Sequence, residues 1–407
     1  MNRRQTGMRN VHPLFAFFFI AAAAAFFAGA AGICGIGTVT AWGAAREETA
    51  EAGGFILEDF QTEEMDEFLA GLSGTYGETI SFRQVMEELL AGNLEQAAED
   101  GAKAVGEALF SEIRTNTALM GQIVVLALVG AVFSSFSEIF GAGHLPETGF
   151  YVIYLCIMAF LAASFYASIQ VAEEVAGDIL EFMRLLLPAY FLAVTMAGGA
   201  ITSAAVCGFT FGAISLVQGV VCGLLLPLMR IYMPLVLAAN LFKEDMISRL
   251  TELLRVLISW TMKTLFGIVV GFHLIQGLVL PQADALKNSA AMRLVEMIPG
   301  VGTGAGAVSQ IVMGSGILIK NTAGAAAVVV LLFLAAVPVL KLLLLMALYY
   351  LAAAAMQPVC DKRLVSCMAQ AAKGHGMLLG IVGYSLALFA VTIAILCIST
   401  NASYYAG

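Results

Sequence analysis

The chain has 407 residues, 60% of them hydrophobic and only 12% charged, with a mean hydropathy of +0.90. A water-soluble domain carries about 25% charged and about 45–50% apolar residues, so composition excludes a soluble enzyme, a basic-patch nucleic-acid binder and a disordered chain. The formal charge of −9 is concentrated: residues 46–114 hold 17 of the 29 acidic side chains against 4 of the 20 basic ones, while the first ten residues are basic and the remainder is nearly neutral.

The N-terminus reads as a secretory leader. Arg3, Arg4 and Arg9 precede an uncharged run from Val11 to Ala45, with an apolar stretch from Leu14 to about Gly32 and small residues at Gly43-Ala44-Ala45. Residues 1–45 are therefore a signal peptide or, because the apolar stretch is long, a retained signal anchor. Either way the positive-inside rule places 46–116 outside the cytoplasm. That small acidic segment reads as two or three amphipathic helices: apolar positions recur at helical spacing through Phe82–Leu90 and Leu94–Ile113, with breaks at Gly53-Gly54 and Gly71–Gly77.

Residues 117–400 form the multi-span membrane domain of an all-α polytopic protein. Apolar spans of about the ~20 residues a bilayer requires are expected at Ala118–Ser137, Phe150–Val171, two or three within Leu185–Phe242, Val256–Leu280, Pro299–Ile319, Thr322–Leu340, Leu342–Met356 and Gly376–Ser399. That makes eight to ten membrane segments, some broken. The acidic connection 172–184 suits the outside; the basic loops 243–255 and 361–373 suit the cytoplasm. Three collinear matches suggest a tandem repeat of 178–280 and 290–397: Met183-Arg184-Leu185 with Met292-Arg293-Leu294, Pro227–Arg230 with Pro338–Lys341, and Gly267–Phe272 with Gly380–Tyr384.

No catalytic signature stands out. The spans as drawn contain no carboxylate of the kind that ion-coupled transporters bury at mid-membrane; there is no P-loop, and the four histidines are scattered. No catalytic residue, cofactor or metal ligand is expected. Arg230, Lys263 and Lys341 read as helix-end residues snorkelling to headgroups, or as the lining of a polar passage. His273 and Gln276, one turn apart, read as hydrogen-bonding a neighbouring helix. Glycine at every second position from Pro299-Gly300 through Gly302, Gly304 and Gly306 disfavours helix by about 1 kcal/mol per residue. That run is either close packing or a broken, pore-lining element.

Several of these residues together resemble one family. Met183–Leu187 with Pro188 and Gly198-Gly199, Ile298-Pro299-Gly300-Val301-Gly302, Ile317–Gly324 including Lys320, Pro338 with Lys341, and Pro358 with Asp361 and Arg363 are similar to the stage III sporulation protein AE family, across about residues 80–400. The resemblance implies a component of the mother-cell membrane around the forespore. It would belong to the stage III A assembly, a secretion-like channel or feeding tube between the two cells that supports endospore formation and late forespore gene expression. The implied partners are ring-forming subunits, a separate secretion-type ATPase, a forespore membrane protein and lipid, with no nucleic acid. The candidate packing or passage residues are Pro188, Gly198, Gly199, Arg230, Pro299, Gly300, Gly302, Gly304, Lys320, Pro338 and Lys341. Two other readings stay open: a stand-alone small-molecule channel or transporter, and a non-conducting membrane scaffold.

Overall fold

A computed structural model describes residues 62–76, 81–91, 145–197, 200–239, 246–296, 302–358 and 360–405, together with four isolated positions between 117 and 128. The leader, most of the expected 118–137 span, Gly198, Gly199, Pro299 and Gly300 lie outside them.

The described residues are helical throughout. A short hairpin comes first, α1 (Glu63–Tyr76) and α2 (Phe82–Ala91). The long helices follow: α3 (Leu145–Met196), α4 (Ala200–Val220), a π-turn at Val221–Leu225, α5 (Leu226–Ala239), α6 (Met246–Glu296), α7 (Gly302–Met356) and α8 (Lys362–Tyr405). Among the described residues, five helical stretches are long and apolar enough to cross a membrane: Tyr154–Met196, Ser203–Ala239, Ile247–Gly277, Gly314–Met356 and Lys362–Cys397. The eight to ten segments expected from hydropathy thus become five here, because neighbouring stretches fuse.

The acidic stretch 172–184 is the clearest fusion. It is no connection but the middle of α3. Ala172, Val175, Ala176, Ile179, Leu180, Phe182 and Met183 are all buried, so the helical period runs straight through the charges and keeps them on the outer face. In the same way Lys341 does not divide two spans, and the stretches 302–319, 322–340 and 342–356 are one 55-residue helix. The basic residues of the expected cytoplasmic loops mostly stand on helix ends, Arg249 and Arg255 on α6 and Lys362, Arg363 and Lys373 on α8. At 1.5 Å per residue, α3 and α7 are each about 80 Å long, far more than the ~30 Å hydrocarbon core.

The helices pack around one core, with α7 and α8 most intimate and α3 against both; α6 lies outermost on α8, α4 and α5. Glycines on α7 admit close neighbours, a backbone at Gly316 and side chains at Gly324. A Cβ on Gly316 would sit 2.7 Å from the Ala197 nitrogen and 2.9 Å from the Met196 carbonyl carbon, and one on Gly324 would collide with Cys397 Sγ. Close packing among the described residues thus includes Gly316 and Gly324; Gly302 and Gly304 lie in the first turns of α7, and their surroundings are outside the described residues.

The α1–α2 hairpin is built by capping. Asp66 of α1 accepts bonds from Ser81 Oγ (3.1 Å) and the Phe82 amide (2.5 Å), and Ser81 Oγ accepts one from the Gln84 amide (3.3 Å). These satisfy donors at the start of α2 and set a carboxylate at its positive end. Met65, Phe82 and Met86 are fully buried. The hairpin packs on α3 and α7, with Phe82 meeting Phe182 at 6.1 Å between ring centres.

Candidate polar face of the membrane bundle

Contacts between helices set their relative heights. Phe165 of α3 meets His375 of α8 (5.2 Å), Phe266 of α6 meets Tyr384 of α8 (6.0 Å), and Met346 of α7 lies beside Gly376 of α8. Counting along each helix at 1.5 Å per residue brings Glu173, Lys263 and Lys341 to one level, that of Ile381–Gly383 in α8, within about one turn. Arg230 of α5 joins them by direct contact: its guanidinium reaches Glu173 Oε1 and Oε2 at 2.6 and 2.5 Å and stands 5.5 Å from the centre of the Tyr166 ring. The cations read as helix-end markers are thus grouped across the middle of the bundle.

From that level the polar groups continue up α3 for about 16 Å as Glu173, Glu174, Glu181 and Arg184, all on the outward side. Arg184 hydrogen-bonds Gln218 of α4 and lies 3.4 Å from Glu181. The backbone adds to this face. Proline has no N–H to give the carbonyl four residues earlier, so Pro188 and Pro234, inside α3 and α5, deprive the Arg184 and Arg230 carbonyls of their helical partner. Pro227 does the same to Gly223, inside the π-turn, where the Leu226 amide bonds back to Val221 instead. Glu173, Glu174, Asp178 and Glu181 stand on the same continuous helix as the apolar stretches before and after them, the helix that carries the Tyr154–Met196 candidate span. Exposed charge and freed carbonyls are not tolerated against hydrocarbon; they face water or protein.

The hairpin supports the same reading. Phe182, its anchor, is two residues from Arg184, and the outward side chains of α1 and α2 include Glu63, Glu64, Glu67, Arg83 and Glu87. Groups of that kind require water beside this level of the bundle.

These positions and spacings run in order along most of the chain. The family model for stage III sporulation protein AE matches residues 80–400. The chain belongs to the stage III sporulation protein AE family. Comparison with curated proteins and with solved structures gives no match. Family membership implies a role in sporulation for this AE-family chain.

Of the other residues singled out by sequence, Lys320 is completely buried on α7, Pro338 is buried, Pro188 is exposed on α3, and Lys341 is partly buried. Lys320 falls between Gly316, which lies against the end of α3, and Gly324, which lies against Cys397 in the tail of α8. His273 and Gln276 are also buried but have no hydrogen-bond partner among the described residues, so the expected bond to a neighbouring helix is not made. Sequence reading missed a second buried polar group. His375 Nδ1 donates to the Ala371 carbonyl (2.9 Å), its Nε2 accepts from Ser168 (3.0 Å), and Tyr349 stacks on the ring while donating to Ser164 (2.6 Å). Its one signal was the Gly374-His375-Gly376 triplet, which admits Phe165, Met233 and Met346 close to the backbone.

Proposed function

We propose that this protein is an integral membrane component of a transenvelope, secretion-like channel connecting mother cell and forespore, acting in endospore formation and late forespore gene expression. The observation that carries the reading is the Glu173–Arg230 pair with Arg184–Gln218, an exposed polar face halfway along five membrane-length helices. Such a face needs an aqueous passage or other subunits against it. The setting in this reading is the mother-cell membrane around the forespore, with ring-forming subunits, a secretion-type ATPase and a forespore membrane protein as partners; the sporulation role implied by family membership supports it. In this reading residues 1–45 are a signal peptide or anchor, 46–116 an extracytoplasmic segment seated on the bundle, and 117–400 the membrane domain with further spans among residues not described. The tandem-repeat reading gains support from element order, since α4–α5 followed by α6 corresponds to α7 followed by α8.

The test is a charge exchange. Arg230→Glu and Glu173→Arg should each leave membrane levels normal, abolish copurification with ring and ATPase subunits, and silence a late forespore reporter. The double exchange should recover part of both. Single variants that assemble and signal normally would overturn the reading. A second reading, a stand-alone small-molecule channel or transporter, is favoured by one observation, the carboxylates Glu173 and Glu174 on a helix that also carries a candidate membrane span. Solute uptake by liposomes containing this chain alone would select it.

A further inference from the structure

His273 and Gln276 stand one turn apart on α6, so their side chains share a face. Relative exposure is 1% and 7%. All four side-chain polar atoms, His273 Nδ1 and Nε2 and Gln276 Nε2 and Oε1, are without a hydrogen-bond partner among the described residues. A third polar group adjoins them. Pro281 lies within α6 and gives no N–H to the Gly277 carbonyl. Other buried hydroxyls are satisfied within their own helix, Thr210, Ser385 and Thr392 each donating to the carbonyl four residues back, although Ser315 Oγ also has no partner among the described residues.

We propose that His273, Gln276 and the Gly277 carbonyl form an internal water site, a hydrated pocket between α6 and the rest of the bundle. Donors and acceptors are both present, as bridging water requires: a neutral imidazole offers one of each, and the amide two donors and two lone pairs. Two to four polar partners within reach are what hold a buried water in place. The burial decides the size of the occupant, since a partner's side chain cannot reach a residue that its own chain covers. A bare Ca²⁺ or Mg²⁺ would need six or more oxygen ligands, more than these groups supply. Charged sequence resumes close by: Asp284, the first charged residue after Lys263, is eight positions beyond Gln276, about 12 Å along the helix. Ordered water is also one of the means by which proline-freed carbonyls in membrane helices are satisfied.

Radiolytic hydroxyl labelling of the full chain in lipid nanodiscs, read by mass spectrometry with a bulk radical scavenger present, tests this directly, because radicals born from bound water escape the scavenger. The His273 side chain should take up oxygen, while that of His375, equally buried but hydrogen-bonded at both ring nitrogens, should not. Gln276→Leu should weaken the label at His273, and Gln276→Asn should keep it. Wild-type labelling at His273 no greater than at His375 would overturn the proposal, and that comparison needs no variant to fold.

Discussion

Adding one methyl group at Gly316 should harm this protein, while adding it at Gly383 should not. The new Cβ at 316 would meet three backbone atoms of the α3 terminus, the Ala197 nitrogen at 2.7 Å, the Met196 carbonyl carbon at 2.9 Å and the Ala197 Cα at 3.0 Å. Backbone atoms cannot swing aside as a side-chain tip can, so α3 and α7 must part by the difference from ordinary contact, roughly 0.7 Å if contact begins near 3.4 Å. Overpacking of this kind costs about 1–3 kcal/mol, against a gain of ~1 kcal/mol from replacing glycine by alanine within a helix. The net expectation is a loss of about 1 kcal/mol for Gly316→Ala and more for Gly316→Val, whose branches double the clash. At Gly383 nothing lies within 4 Å of the added carbon, so the propensity gain stands alone and the variant should be as stable as wild type or up to ~1 kcal/mol more stable. Thermal unfolding of both variants in one detergent, followed by circular dichroism, compares them directly. Equal midpoints would mean that α3 and α7 do not approach as closely as described.

Asp66→Ala removes the acceptor that caps α2 and should cost the hairpin about 1 kcal/mol, seen as faster amide exchange across Phe82–Ala91 with the long helices unaffected. Tyr349→Phe deletes the buried bond to Ser164 and should destabilise the bundle by about 1 kcal/mol, without changing α1–α2 protection. Burial pushes the Cys360 thiol up from its usual range, which lowers its thiolate fraction at any pH below the shifted value. It should therefore react with maleimide more slowly than an unperturbed cysteine at pH 8, and in intact cells only with a membrane-permeant reagent if the α7–α8 connection is cytoplasmic. Rapid labelling by an impermeant reagent would reverse that topology.

The membrane class was legible because it rests on composition, and no arrangement of tertiary contacts can make 60% hydrophobic residues soluble. Helix ends were less so. Hydropathy sums over all faces, so the four carboxylates between 173 and 181 looked like a loop, although the apolar period from Ala172 to Met183 was present in the same residues. Lys341 misled for the same reason, as one partly buried charge lowered the local average of a helix that never breaks. The polar face could not be read at all. Glu173 and Arg230 are 57 positions apart, and nothing local to either tells of the other. Glycine counting drew attention to Gly302 and Gly304, whose surroundings lie outside the described residues, whereas the close approach at Gly316 carries no local pattern and depends on where the α3 terminus happens to end.

The π-turn at Val221–Leu225 decides which way the end of the second long stretch looks. Each residue advances an α-helix by about 100°, and the wider turn absorbs what amounts to one extra residue. Beyond it, Met229, Tyr232, Met233, Val236 and Leu237 all point inward, and Arg230, between them, is left pointing at Glu173. Deleting a single residue from 221–225 would give a more regular helix with a better hydrogen-bond ladder. It would also turn everything downstream by about a quarter of a revolution, carrying Arg230 off its carboxylate and rolling the buried row toward the surface. The irregular turn thus works as a fixed angular offset, and regularity there would be the lesion.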